Sequence, residues 1–405
     1  MLTSTQNFFI RCLSDFLTGR ETEAVASGLN WEDLFSIAKR QSLEGVIYYQ
    51  CFAWMPLETK KKYMKQYLGA VSVSVTKKES IEELIRIIEP LMIPVIFMKG
   101  AVIRGYYPLP PLRSMGDIDV IIHPEDRKRI DEILQKNLGY FCFVDNHAVW
   151  TYSRNNLYLE VHDHMFYDNL ANQIDYRMYF DQIWENCRKG SVFGLNSDYL
   201  FVPDEDFHFL YMMTHAAKHV INNGIGFRVY LDMALMIRLA NDRMNWDLIK
   251  NELEKLKLLK FTEICFACCE RWFGISMPLG TKLVDEDLVS IITEKTFSDG
   301  LFGLDNPDNN LASAAKDIDR TGGNYIVAAI KRGIKRLFPP YEDLQLVSRY
   351  SFVDGRPWLL PIVWIYRLGY CVVRKMKTGK DYLTEPFTRK KDVLDRQELM
   401  HRMGL

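Results

Sequence analysis

The chain has 405 residues, with 51 Lys and Arg against 52 Asp and Glu and a net charge of -1. Apolar residues make up 48% and charged residues 25%, which excludes a disordered chain and leaves ample material for a buried core. A balanced charge also argues against nonspecific coating of nucleic acid.

The balance is uneven along the chain. Residues 326–405 carry 16 basic and 8 acidic side chains, and residues 1–325 carry 35 and 44. The longest apolar run, Trp358 to Tyr366, has nine residues and contains Pro361. A transmembrane helix needs roughly 20, so none is expected. The start, MLTSTQNFFIRCL, lacks the pattern of a signal peptide. The eight cysteines are scattered except for Cys265, Cys268 and Cys269. Reduced thiols in a cytoplasmic protein are the expectation. Cys265 and Cys269 lie one helical turn apart in an apolar segment, so the trio is read as a buried helix face.

In chain order, residues 1–90 read as a helical region. Asn30 is a plausible N-cap for a helix beginning Trp31-Glu32-Asp33, and Ser80–Ile88 is a second helix ending near Pro90. Residues 91–200 read as a mixed core. Val95–Met98 is a short buried strand between Pro94 and Gly100, followed by a short helix over Ala101–Tyr107. A Pro-rich loop, PLPPLRSMG, leads into a strand from Asp117 to Ile122. Pro124–Leu138 is an amphipathic helix stopped by Gly139. Residues 141–151 and 157–164 are read as two strands joined by a turn at 153–156. Beyond Met165 the pattern returns to helices, which gives a helical region over 201–297. Residues 298–325 read as a linker or mobile loop, and 326–405 as a basic, aromatic-rich end.

The chemistry concentrates at Asp117 and Asp119. Side chains two apart on a strand share a face. Two carboxylates so placed repel each other unless a cation lies between them. Mg²⁺ suits them, since it takes oxygen ligands and is often shared with phosphates. Glu160 is a third carboxylate on the strand LYLEVHDH, and it can join the site if that strand lies beside Asp117. Three carboxylates around two Mg²⁺ ions fit in-line phosphoryl or nucleotidyl transfer. Lys99 and Gly100 open a helix, where backbone N–H groups favour an anion. Arg113 and Ser114 stand just before the aspartates, and both can contact phosphate oxygens.

The ordered set FMKGAVIRGYYPLPPLRSMGDIDVIIHPED, then LYLEVHDH, then FLYMMTHAAKHV and FRVYLDMALMI resembles the nucleotidyltransferase superfamily of DNA polymerase β-like folds. More closely, it is similar to uncharacterised bacterial nucleotidyltransferases with Lys-Gly in place of the usual Gly-Ser. The resemblance covers about residues 30–250. It implies an α+β fold, with a small mixed β-sheet flanked by helices and helical N-terminal and C-terminal regions. It also implies two Mg²⁺ ions, a nucleoside triphosphate donor such as ATP, and an acceptor bearing a hydroxyl. By that resemblance Asp117 and Asp119 are metal ligands and Glu160 is the third catalytic carboxylate, binding metal or activating the acceptor hydroxyl, with Lys99, Gly100, Arg113 and Ser114 as the nucleotide-binding candidates. Lys99-Gly100-Ala101 lacks the usual serine contact to phosphate, so a nucleotidyltransferase-like binding module without turnover is the alternative.

Four histidines complete the set. His162 and His164 share the predicted face of Glu160, where an imidazole can ligate metal or carry a proton. His215 and His219 are four apart on a helix, a spacing that can bind zinc. A metal-dependent hydrolase built on these four is a third reading. Alternatively, His215, His219, Arg228 and Asp232 line the acceptor side of the cleft, as does His162. Lys331, Arg332, Lys335, Arg336, Arg374, Lys375, Lys377 and Lys380, interleaved with Trp358, Trp364, Tyr366 and Tyr370, suggest an anionic partner or a solvated face over an aromatic core.

Overall fold

A computed structural model describes the chain apart from residues 1, 25–27, 146–148, 168–169, 171–173, 280–284, 302–314, 316, 319–323, 342–343, 345–347, 354 and 379–389. The chain divides into two compact units, Met1–Asn306 with Met403–Leu405, and Pro307–Arg402.

The first unit opens with four helices. α1 (Ser4–Thr18) has a reciprocal cap. The Thr3 hydroxyl accepts from the Gln6 N–H, and the Gln6 side chain accepts from the Thr3 N–H. Two donors at the helix start are thereby satisfied. α2 (Trp31–Arg40) starts at the expected Asn30, whose side chain accepts from the Asp33 N–H. α3 (Glu44–Cys51) follows. α4 (Leu57–Ile88) is one long helix, and the predicted Ser80–Ile88 segment is its last part.

The sheet region follows. Its elements are β1 (Val95–Met98), α5 (Gly100–Ile103), β2 (Asp117–Ile121), α6 (Arg127–Glu132), β3 (Phe141–Asp145), β4 (Trp150–Arg154), β5 (Leu157–His162), α7 (Tyr176–Phe180), β6 (Cys187–Val192) and β7 (Leu195–Pro203). The seven strands form one sheet in the order β3-β4-β5-β2-β1-β7-β6. β1 runs antiparallel to β2 and parallel to β7, and β2 runs parallel to β5. The fold is therefore α+β with a mixed sheet flanked by helices, as the sequence suggested.

Three local readings change. Residues 141–151 are two antiparallel strands rather than one, and the turn before β5 narrows to Asn155-Asn156, both at positive φ. The segment beyond Met165 is not purely helical, because β6 and β7 form a hairpin there. β6, CRKGSV, is a polar edge strand without the apolar alternation that marks a half-buried one. The predicted helix over 246–273 is two, α10 (Trp246–Lys255) and α11 (Leu259–Phe273), parted at Lys257 with φ +56°.

α8 (Glu205–Asn222), α9 (Phe227–Ala240) and α12 (Glu286–Asp299) complete the unit. Cys265, Cys268 and Cys269 are free, buried thiols on α11. One sheet face is the core that positions the site. Ile81, Leu84, Ile85 and Ile88 of α4 pack on Phe97, Ile118, Val120, Leu159, Val161, Leu200 and Val202. Strand alternation sends Asp117, Asp119, Glu160 and His162 to the opposite face.

The second unit contains helices at Tyr325–Leu337, Leu360–Thr378 and Lys390–Arg402. A small cluster of Leu344, Tyr350, Val353 and Val363 lies within it. Trp364 donates its indole N–H to the Pro339 carbonyl, whereas Trp358 and Tyr366 are exposed. The linker predicted over 298–325 falls mostly outside the described residues, as does Lys380. No described helix is long and apolar enough to cross a membrane.

Candidate active site

The register between β2 and β5 builds the site. Asp119 lies opposite Glu160, and Ile121 lies opposite His162. Asp119, Glu160 and His162 each offer a ligand atom, and these atoms all lie within 4.8 Å of one another. His162 Nε2 is 3.3 Å from Asp119 Oδ1 and 3.7 Å from Glu160 Oε2. Burial holds the Asp117 carboxyl above its ordinary range, and the Asp119 and Glu160 charges push it the same way, with Lys99 opposing. Burial would also raise Asp119, but Lys99 and His162 outweigh it and hold this carboxyl well below its ordinary range.

Lys99 is the cation of the site. Its Nζ is 2.6 Å from Asp119 Oδ1. Burial would lower this ammonium, but Asp119 and then Tyr211 act against it, and the net shift is upward. Burial pushes the Tyr211 phenol up to about 12, with Lys99 opposing. The Lys99 backbone has φ +51° and ψ -125°, a conformation that costs a side-chain-bearing residue about 1–3 kcal/mol. Gly100 serves a purpose the sequence did not suggest. A Cβ there would come within 2.8 Å of Met115 Sδ and 2.9 Å of Arg113 Nη1. The space at Gly100 is taken by the loop that leads into Asp117.

Arg113 and Ser114 both have protein partners in the loop before β2. Arg113 Nε and Nη2 donate to the two carboxylate oxygens of Asp232 at 2.9 and 2.8 Å, and the Tyr107 hydroxyl donates to Asp232 at 2.8 Å. Arg228 Nη1 donates to the Ser114 carbonyl and Oγ at 3.2 Å each. Arg228 and Asp232 were expected on the acceptor side. Both are buried, and they tie α9 to the loop before β2. A buried guanidinium is stable only when paired, and Asp232 is the pairing that Arg113 takes. Burial and Arg113 push Arg228 down to about 10, with Asp232 opposing.

Lys77 of α4 belongs to the same loop and was missed. It is buried, and its Nζ donates to the carbonyls of Met115 at 2.8 Å and Gly116 at 2.7 Å. The helical phase carried the signal, because Lys77 shares a face with Ser80, Ile81 and Leu84. Burial lowers Lys77 from 10.5 to about 8, with Asp117 opposing. Between those two values the unfolded chain holds a proton that the folded chain has released. Stability should therefore rise as pH climbs from about 8 to 10. Urea denaturation across that window should show the rise in the wild type and a flatter profile in Lys77→Met. Equal slopes would refute the assignment.

The remaining histidines separate from the carboxylates. His164 lies beyond β5, with Nδ1 2.6 Å from Asp181 Oδ1. His215 and His219 face each other, Nε2 to Nε2 at 2.9 Å, and His215 stacks on Tyr211. Burial holds His215 well below its ordinary range, with Lys99 and His219 adding to the shift. Among the described residues His162, His164, His215 and His219 form no shared ligand cluster, so the hydrolase built on them is not supported. His215 stacks on Tyr211 at the margin of the site and feels the charges of Lys99 and Asp119.

Comparison with curated proteins and with solved structures gives no significant match. A family described as uncharacterised nucleotidyltransferase matches residues 27–274, from α2 through α11, and so includes the carboxylates, Lys99 and the loop between them. That match covers more than half of the chain, and the chain belongs to this nucleotidyltransferase family.

Proposed function

We propose that the chain is a divalent-metal-dependent nucleotidyltransferase of the DNA polymerase β-like type, moving a nucleoside monophosphate from a nucleoside triphosphate to a hydroxyl-bearing acceptor. The observation that carries this reading is the pairing of Asp119 with Glu160, which gathers Asp119, Glu160 and His162 within 4.8 Å beside Lys99. Two carboxylates and an imidazole suit a divalent ion. Asp119, Glu160 and His162 would hold it, with Asp117 at the edge of the same site. A bound divalent ion would neutralise triphosphate oxygens and acidify the acceptor hydroxyl. Lys99 supplies further positive charge for the donor phosphates. Its ammonium already rests on Asp119, so of the two Mg²⁺ ions implied by the resemblance, the site favours one at Asp119–Glu160–His162. Exposed Lys331 and Lys335 support a separate anionic partner at residues 326–405.

The test is calorimetric titration of ATP, GTP, CTP and UTP with and without divalent ion, comparing the wild type with Asp117→Asn/Asp119→Asn. Binding unaffected by the double substitution would refute the site. Transfer of label from α-labelled nucleoside triphosphate to cell extract, with release of pyrophosphate, separates the enzyme from a binding module without turnover, because an aspartate-dependent product rules the module out.

The imidazole adds a metal preference. Mg²⁺ favours all-oxygen surroundings, whereas Mn²⁺ accepts imidazole nitrogen. Mn²⁺ should bind more tightly than Mg²⁺, by about tenfold or more. The bound-ion signal in electron paramagnetic resonance should carry nitrogen coupling that disappears in His162→Ala. A nitrogen-free signal in the wild type would remove His162 from the ligand set.

A further inference from the structure

The loop before β2 has a second side. A cavity of about 300 Å³ opens there between α3, α4 and residues 111–115. It lies in the range of small-molecule sites. Lys77, Arg104 and Arg113 supply its positive charge. Val73, Tyr67 and Leu112 supply an apolar wall.

Two of the three cations of this cavity have no ion-pair partner among the described residues, and Asp117 and Asp119 act on Lys77 only from beyond salt-bridge distance. Arg113 is neutralised by Asp232. Lys77 and Arg104 are both buried, and neither has a carboxylate within salt-bridge distance among the described residues. Lys77 is held by two backbone carbonyls. Arg104 Nη2 donates to the Ser74 hydroxyl at 2.7 Å, its guanidinium lies 4.2 Å from the Phe193 ring centre, and its buried Nε has no hydrogen-bond partner. Glu44 is the one acid in the lining. Burial raises its carboxyl, and the charges that oppose this are Arg228 and Lys39. Burial lowers Arg104 to about 10, and the Arg113 charge adds to that shift.

Buried cations in proteins are normally paired, because an unpaired one is costly. Two of them around one cavity, one with an idle donor, describe a site that is completed by an anion. We propose that this cavity binds a small phosphate monoester with an apolar body. Its two negative charges match Lys77 and Arg104, and its body meets Val73, Tyr67 and Leu112. Arg104, whose buried Nε is unsatisfied by protein, supplies one of those two charges. The ligand would lie against Met115 and Ser114, on the side of the loop lined by α3 and α4, and the proposal does not depend on nucleotidyl transfer.

Phenyl phosphate is a suitable probe, with phenol and benzoate as controls, measured by calorimetry on the full chain without added metal. Phenyl phosphate should bind, phenol should not, and benzoate should bind more weakly. Arg104→Gln removes the idle donor and one charge, and should weaken phenyl phosphate by about tenfold or more. Val73→Trp fills the cavity from its exposed rim without touching a cation, and should weaken binding to a similar degree in a chain that still folds. Asp117→Asn/Asp119→Asn removes negative charge that acts on Lys77 and should not weaken binding, which distinguishes this site from the metal site. Wild-type affinity in both Arg104→Gln and Val73→Trp overturns the proposal. So does loss of binding in the double aspartate variant, which would place the anion at the carboxylates. Benzoate binding as tightly as phenyl phosphate overturns the phosphate assignment.

Discussion

Asp119→Ala is expected to abolish divalent-ion binding and to reduce nucleotidyl transfer by about a thousandfold. Asp119 touches both Lys99 and His162, at 2.6 and 3.3 Å, and its partner strand brings Glu160 opposite it. Its removal also leaves the Lys99 ammonium without its carboxylate, in a site where that side chain is only 23% exposed. Breaking such a pair costs about 3 kcal/mol or more. The two losses can be separated. Lys99→Met added to Asp119→Ala should recover much of the stability, as read by urea denaturation, and none of the ion binding. If the double variant is no more stable than Asp119→Ala, Lys99 is not held by that pair. If Asp119→Ala still binds Mn²⁺ at wild-type affinity, the metal site lies elsewhere.

The second large effect is expected at Asp232, far from Asp119 in sequence. Asp232→Ala strands the Arg113 guanidinium and the Tyr107 hydroxyl, which both donate to that carboxylate. The expected loss is about 3–5 kcal/mol, because the arginine would be left charged and buried. Asp232→Asn keeps the shape and one acceptor, and should fall between the two. Denaturation midpoints measure both. A loss below about 0.5 kcal/mol in Asp232→Ala would show that Arg113 finds another partner. Nucleotide binding should weaken as well, since Arg113 and Arg228 hold the loop that delivers Asp117.

Those two residues show what the sequence exposes and what it hides. Asp117, Asp119 and Glu160 were legible because strand alternation fixes which side chains share a face, and Lys99 because it ends a short apolar strand. The pairing of β2 with β5 turned that alternation into a site. The carboxylate partner of Arg113 was missed for a physical reason. A guanidinium before an Asp-x-Asp strand suits phosphate and carboxylate equally, and only the fold brings Asp232 to it. Lys77 carried a helical-phase signal but no motif. The β6–β7 hairpin was lost because its outer strand is polar and its inner strand shows only a short apolar end, Leu200 and Val202. Pairing across a long stretch of sequence leaves no local mark.

That late hairpin bears on how the chain is made. β1 carries Lys99 at its end, and its outer edge is covered only by β7, Val95 opposite Leu200 and Ile96 opposite Phe201. About a hundred residues must leave the ribosome between the two strands. Until they do, β1 presents an apolar edge, Val-Ile-Phe-Met, with unpaired backbone groups of the kind that recruits foreign strands. A fragment that stops before Leu195 would contain every proposed metal ligand and still expose that edge. The shortest piece of this protein that can be handled in solution is therefore set by a strand that contributes no residue to the chemistry.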